Sequence, residues 1–347
     1  MRVVRIREHG GLEQLRFEEA PVPAPGPCEV RVAVRAVGLN HLDTWVRRGV
    51  PGHTFPLPMI PGCDGAGVVD AVGPGVTSRK VGDRVVLAPG FSCGACPACA
   101  AGRQNLCRHY GIFGEMRDGT CADFLVVPER NALALPAHVP FEVAAAFPLV
   151  YLTAWHMLAD RAELRPGETV LVHAAGAGVS TAAIQIARLL GAGRVIATTS
   201  TAAKAAKARE LGADDVVDYV REDFVARVRD LTGRAGVDVV VDHVGRATLP
   251  GSLKCLAKGG RVVSCGATSG QAVEVAMNLV FFKSLSLLGS TMGGLGEVHE
   301  VLGHVAAGRL RPVVDSVLPM SAVAEAHRRL EARDVFGKIV LVPEAVS

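Results

Sequence analysis

Four cysteines, Cys93, Cys96, Cys99 and Cys107, follow one another in the spacing C-x2-C-x2-C-x7-C. Thiolates that close in sequence can be folded by one short lobe around a tetrahedral Zn²⁺. Gly94, Pro97 and Gly102 supply the sharp turns such a lobe needs. Four unrelated buried thiols, or a ferredoxin-like iron–sulfur cluster, are the competing readings. The chain has nine cysteines, and four of them within one short stretch favour a metal over chance. Four thiolates leave no open coordination position, so the expected ion is one structural zinc per chain, in a lobe spanning about residues 90–110.

A second chemistry-bearing stretch is V-L-V-H-A-A-G-A-G-V-S-T-A-A-I-Q-I-A, Val170 to Ala187. An apolar run meets a turn of small residues, and a segment with helical spacing (Ala183, Ile186, Ala187, Leu190) follows. Strand, tight turn and helix suit a dinucleotide. The turn lets backbone N–H groups approach the pyrophosphate, and the helix N-terminus adds partial positive charge. Gly176 and Gly178 are present, while Ser180 stands where a third glycine often sits. Its small side chain permits close helix–strand packing, and its hydroxyl is a candidate phosphate donor. A glycine-rich βα turn without nucleotide is the plain alternative.

About 20 residues further on, Arg194 to Thr198 reads as the strand whose end meets the adenosine ribose. An NAD-preferring site places Asp or Glu there. Here the end is Ala197-Thr-Thr-Ser-Thr201, without an acid. The hydroxyls of Thr199 and Ser200, with Lys204 one turn into the next helix, suit a 2′-phosphate, and Tyr219 is placed to flank the adenine. NADP(H) is therefore expected over NAD(H).

The elements that position these groups follow an alternating pattern. Val216–Tyr219, Val237–Val241, Gly260–Cys265 and Leu285–Gly289 read as further strands with helical stretches between them, which implies a doubly wound parallel sheet. Residues 1 to about 90 differ: short strands such as Val30–Arg35, Gly65–Gly73 and Asp83–Leu87 are separated by Pro and Gly, as in a compact β-rich domain. The fold class is α/β, a Rossmann sheet plus a β-rich domain.

Composition excludes several functions. The chain of 347 residues is 49% hydrophobic with a net charge of +3 and no basic run, which argues against nucleic-acid binding. No apolar stretch has the length of a membrane span. The N-terminus reads as a strand with no secretory h-region, so the cytoplasm is expected.

Together these motifs resemble the medium-chain dehydrogenase/reductase superfamily, which includes zinc-containing alcohol dehydrogenases and quinone oxidoreductases. The resemblance covers essentially the whole chain. It is carried by G-L-N-H-L-D-T-W (Gly38 to Trp45), P-G-C-D-G-A-G-V-V (Pro61 to Val69), V-G-D-R-V (Val81 to Val85), the cysteine lobe, the cofactor turn and the closing G-K-I-V-L (Gly337 to Leu341). It implies a GroES-like catalytic domain of residues 1–150, a Rossmann domain of 151–293 and a C-terminal segment, 294–347, returning to the catalytic domain. In such proteins substrate and nicotinamide meet between the domains. Val179, Gly266 and Lys338 join the expected cofactor contacts on this ground.

The chain departs from the zinc enzymes at their catalytic metal. Their first Cys falls on Asn40, the His on Cys63, the neighbouring Glu on Asp64, the last Cys near Leu149, and the proton-relaying Ser/Thr on Leu42. Asn and Leu are poor zinc ligands, so no catalytic zinc is expected. Zinc-free quinone reductases carry Asn and a nearby Asp here, as do Asn40 and Asp43. Asn40 is thus a candidate to hydrogen-bond a substrate oxygen, or merely a helix cap. Asp43 and Tyr151 are further catalytic candidates, Tyr151 as proton donor or as a tyrosine packed between the domains. His41 is either near the pyrophosphate or a surface histidine. Trp45, Phe55, Cys63, Asp64, Leu149 and Met292 are the expected walls of a pocket for a small, moderately hydrophobic substrate.

The expected activity is NADP(H)-dependent hydride transfer to an enone, quinone or carbonyl. Alcohol–aldehyde interconversion and a non-catalytic NADP(H)-binding redox sensor are the alternatives. An apolar edge at Leu285–Gly289 predicts a homodimer.

Overall fold

A computed structural model describes residues 1–344. The chain divides into two compact units. The first comprises Met1–Leu149, Gly294–Ala307 and the stretch from Pro312 onward; the second comprises Val150–Gly293 and Gly308–Arg311.

The first unit is built on a seven-stranded sheet. Its order is Val314–Pro319, Lys338–Val342, Glu29–Gly38, Asp64–Val72, Arg84–Leu87 and Ala132–Ala134, with Phe124–Pro128 also pairing with Glu29–Gly38. In Glu29–Gly38 strict alternation puts Val30, Val32 and Val34 inside, while Arg31, Ala33 and Arg35 face outward. These valines join Val3, Val69, Val85, Leu125, Ile339 and Leu341 in one core, as period-2 patterning dictates. The pairing brings Gly38 opposite both Asp64 and Val340. Three distant pieces of sequence thus meet on adjacent inner strands of the sheet. Gly38 must be glycine, because a Cβ there would lie 2.0 Å from the carbonyl oxygen of Ala145.

The second unit carries a six-stranded, wholly parallel sheet in the order Asp215–Asp218, Arg194–Thr199, Thr169–Val172, Val237–Asp242, Leu256–Ser264 and Ser286–Gly289. Numbered from Thr169–Val172, this is the 3-2-1-4-5-6 order of a dinucleotide-binding sheet. Its central strands are apolar on both faces, Val170, Leu171, Val172, Val239, Val240 and Val241 all being fully buried, because helices cover both sides of a parallel sheet. The C-terminal part is not one continuous return: Gly308–Arg311 groups with the second unit. Arg311 explains this, since its carbonyl accepts from Tyr151 Oη (2.9 Å) and Gln185 Nε2 (3.1 Å) and its N–H donates to Gln185 Oε1 (2.8 Å). Among the described residues no helix is long and apolar enough to cross a membrane.

Candidate functional site

The four Sγ atoms of Cys93, Cys96, Cys99 and Cys107 lie within 4.8 Å of one another, and no disulfide joins them. Cys93 Sγ is 3.8 Å from Cys99 Sγ and 3.5 Å from Cys107 Sγ. A tetrahedral zinc with bonds of about 2.3 Å needs sulfur–sulfur edges of about 3.8 Å, so the donor set fits that ion. His109 N–H points at Cys107 Sγ (3.3 Å). The amides of Ala95 and Cys96 hold the Cys93 thiol down at about 6, while Cys96, against a backbone donor at Cys99, is pushed up to about 11 by burial and the neighbouring thiols. Among the described residues this is the only cluster of His, Cys, Asp and Glu with metal-site geometry.

The Asn40 region is organised differently. Asn40 occupies the N-cap position of the helix His41–Arg48, in a capping box with Asp43. The two hydrogens on its Nδ2 have three acceptors within reach, Asp64 Oδ2 (2.9 Å), Gly38 O (3.2 Å) and Cys63 Sγ (3.2 Å). Its Oδ1 accepts from Lys338 Nζ at 2.5 Å, and Lys338 Nζ also reaches Asp64 Oδ2 at 3.1 Å. Asp64 is fully buried and Lys338 is 3% exposed. The second oxygen of Asp64 takes the N–H of Leu149 (2.8 Å). Asp43 completes the group, accepting from Asn40 N–H (2.7 Å) and Gly62 N–H (3.0 Å). Burial pushes the Asp43 carboxyl up to about 6, against those backbone donors and Lys338. Burial, reinforced by the charge of Asp64, pushes the Cys63 thiol well up.

These contacts revise two expectations. The family resemblance places Lys338 at the cofactor, but its ammonium is buried between Asn40 and Asp64. The residue type of Asn40 suits a substrate contact, but both ends of its amide are occupied inside the unit. Nor do the residues on the family's catalytic-metal positions fit a zinc ion. Asn40 and Leu149 contribute no anionic ligand, and the one carboxylate among these positions, Asp64, already faces a cation.

Of the other pocket candidates, Trp45 is 37% exposed and Leu149 is half-buried. Phe55 is core, packed with Ile6, Val46 and Met59. His41 is exposed. Tyr110 is a residue the sequence does not single out. Its hydroxyl is buried without a hydrogen-bond partner, hard against Gly90, and burial, then the nearby Cys63, raises its pKa. It lies three residues beyond Cys107, whose carbonyl accepts its N–H (2.9 Å). Only the position after the cysteine lobe could draw attention to it.

In the second unit the turn Ala174–Ala177 leads into the helix Gly178–Leu189. The N-cap is Ala177, with no side chain to cap the first turn. Gly178 and Val179 are half-buried at this helix start, where N–H groups and the helix dipole favour an anion. The geometry fits a dinucleotide's pyrophosphate. Gly176 is buried in the turn, and Gly266 is half-buried beside His243. Ser180 is a correction: it is fully buried, its hydroxyl donates to His173 O (2.7 Å), and it pairs with His243 Nε2 (2.8 Å). That hydroxyl serves packing and has no hydrogen left for a phosphate. Thr199 is also buried, its carbonyl accepting from Tyr219 N–H (3.0 Å). Ser200 is half-buried, Thr201 and Tyr219 are exposed, and Lys204 lies in the first turn of the helix Ala202–Glu210. Tyr151 is 1% exposed and donates to Arg311 O, while Gln185 Nε2 donates to its hydroxyl at 2.8 Å. Its proton is committed, which makes it a structural residue in place of the expected proton donor. Met292, also buried, accepts from Thr153 Oγ1 at 3.9 Å.

Comparison with known proteins agrees with this architecture. Residues 26–137 match a family model described as an alcohol dehydrogenase GroES-like domain, and 178–307 match one described as a zinc-binding dehydrogenase. A quinone oxidoreductase of Pseudomonas aeruginosa is 36% identical, with 98% of this chain and 99% of that protein covered. A 2-haloacrylate reductase of a Burkholderia species is 34% identical, with 98% of each covered. Among solved structures, one titled as an NAD-dependent alcohol dehydrogenase is 51% identical with a TM-score of 0.96, covering 99% of this chain and 100% of that one.

Proposed function

The chain belongs to the medium-chain dehydrogenase/reductase superfamily, and from that premise we propose an NADP(H)-dependent oxidoreductase that acts on a small, moderately hydrophobic enone, quinone or carbonyl compound without catalytic zinc. The observation that carries the zinc-free reading is the ammonium of Lys338 on Asn40 and Asp64. A metal cation at that carboxylate would have to displace a buried cation that already neutralises it. When bound, the nicotinamide supplies or receives a hydride. The chain's own task is to hold the cofactor and to stabilise the oxygen on which charge builds. Without a Lewis acid, that stabilisation falls to hydrogen-bond donors. Asn40 is committed elsewhere, so we assign the role to the unpartnered hydroxyl of Tyr110. Its raised pKa keeps it protonated, a donor and not a base. Water then protonates the carbon or oxygen of the product.

The acid-free strand end at Ala197–Thr201, the exposed Thr201 and the helix N-terminus carrying Lys204 support a 2′-phosphate and hence NADP(H). The relative titled NAD-dependent alcohol dehydrogenase favours a second reading, alcohol oxidation with NAD. A panel of enones, quinones, aldehydes and alcohols with both cofactors separates them. NADPH-dependent reduction of enones or quinones is expected, with Tyr110→Phe lowering kcat/KM about tenfold or more while the melting temperature holds. Preference for NADH would overturn the cofactor assignment. Tight NADPH binding without turnover of any acceptor would favour a redox sensor. We also propose a homodimer. The edge strand Ser286–Gly289 pairs on one side only, and Leu287, Phe281 and Phe282 beside it are exposed; one chain mass by light scattering would remove the proposal.

A further inference from the structure

The turn that faces the dinucleotide begins on a strained residue. Ala174 has φ +53°, a left-handed conformation that L side chains disfavour and glycine adopts freely. Something must hold it there. Its N–H donates to Thr198 Oγ1 at 3.1 Å, and the N–H of Ala175 donates to Thr198 O at 2.8 Å. Thr198 is 1% exposed and stands on the neighbouring strand Arg194–Thr199.

From Thr198 the hydrogen bonds run on inward in one direction. Thr198 Oγ1 is 3.2 Å from His173 Nδ1, and His173 Nε2 is 2.9 Å from Ser252 Oγ. Since His173 Nε2 can itself carry a hydrogen, we assign the single proton of Ser252 to one of two oxygens that can only accept, Thr248 O (3.0 Å) or Asp242 Oδ2 (3.2 Å). Its oxygen therefore accepts from His173 Nε2–H, which leaves His173 Nδ1 to accept the Thr198 hydroxyl proton. Asp242 is fully buried and anchored by Val244 N–H (2.8 Å), Gly245 N–H (3.0 Å) and Thr248 Oγ1 (2.7 Å). The order requires a neutral imidazole, and burial, opposed by Asp242, lowers the pKa of His173. On the far side of the turn, Ser180 in the first helical turn donates to the carbonyl of His173. Both ends of the turn are thus tied to one histidine.

We propose that the chain Ala174 N–H, Thr198, His173, Ser252, Asp242 fixes the left-handed Ala174, whose carbonyl holds the Ala177 N–H inside the turn (2.9 Å), and through it aims the amides of Gly176, Gly178 and Val179 at the dinucleotide. His173, Thr198 and Ser252 are positioning residues that do not touch the cofactor. The inference rests on the dinucleotide-site reading above and names what orients that site.

Thr198→Val removes the hydroxyl at nearly constant volume, and Thr198→Ser keeps it. Two readouts are needed: NADPH affinity by fluorescence titration, and hydrogen exchange of the Ala174–Val179 amides in nucleotide-free protein. Thr198→Val is expected to weaken NADPH binding about tenfold, the worth of one buried hydrogen bond, and to speed exchange at Ala174. Thr198→Ser should match the parent. Adding Ala174→Gly to Thr198→Val should restore much of the affinity, because glycine needs no help at that φ; a merely structural threonine would not be rescued so. Should Thr198→Val fail to fold, Ser252→Ala breaks the same chain further in and must show the same loss. Unchanged affinity and unchanged exchange overturn the proposal. Should the parent protein bind neither NADPH nor NADH, the dinucleotide reading fails, and so does the aiming role, whatever the exchange shows.

Discussion

Each unit buries a polar network at one end of its sheet, and the two are held by different forces. In the first unit Lys338 and Asp64 form a full ion pair, bridged by Asn40, with the buried carboxyl of Asp43 beside it. In the second unit Thr198, His173, Ser252, Ser180 and His243 are neutral groups strung on one carboxylate, Asp242. Charged groups taken from water must be fully paired or they cost several kcal/mol each. Neutral chains are cheaper, and they fix direction because each hydroxyl has one proton to give. The first arrangement suits a buried carboxylate that is neutralised from within the unit. The second suits a turn whose amides must point one way.

The largest expected effect comes from breaking the ion pair. Lys338→Met leaves Asp64 buried without its cation and should destabilise the protein by about 3–5 kcal/mol. Pairing it with Asp64→Asn should recover a large part, because no uncompensated charge is then left. Urea unfolding of the two variants checks this; equal stability of Lys338→Met and the parent would mean the pair is not buried as described.

Titration separates the networks next, with opposite signs. Asp43 lies against Lys338 and Asp64, and burial raises it from 3.8 to about 6. Its folded-state value lies above its unfolded one, so its stabilising contribution is present below pH 4 and is lost as pH rises through about 6. His243, facing Asp242 and His173, is lowered by burial from 6.5 to about 4. Its contribution is present above pH 6.5 and is lost as pH falls through about 4. Each shift amounts to about 3 kcal/mol. Between pH 4 and 7.5 the parent should lose stability relative to Asp43→Asn and gain it relative to His243→Gln. Slopes of the same sign in unfolding experiments would erase the distinction. The smallest effect is expected for Asn40→Ala, about 1–3 kcal/mol, from donors and acceptors left unpaired around Asp64 and Lys338.

The two networks also mark how far the sequence can be read. The strands of the parallel sheet are legible because apolar runs such as Val237–Val241 alternate with helical stretches, and neither signal depends on distant residues. The cysteine lobe is legible because its four ligands lie within one short segment. Asn40 stands out in the sequence but its role does not, since the residue that occupies its oxygen, Lys338, is 298 positions away. Ser180 reads as a phosphate donor because its type permits that, while its acceptor and its histidine partner become neighbours only in the folded unit. Tyr110 has no local pattern at all; an orphaned hydroxyl is a property of packing.

The central claim is that this oxidoreductase carries one zinc, in the cysteine lobe, and that Lys338 stands where a catalytic metal would otherwise bind. Elemental analysis of extensively dialysed protein, run beside turnover on the best acceptor of the panel, tests it directly. About one zinc per chain, with turnover indifferent to added zinc, is the predicted result. Two tightly held zinc ions, with activity lost as the second leaves, would contradict it.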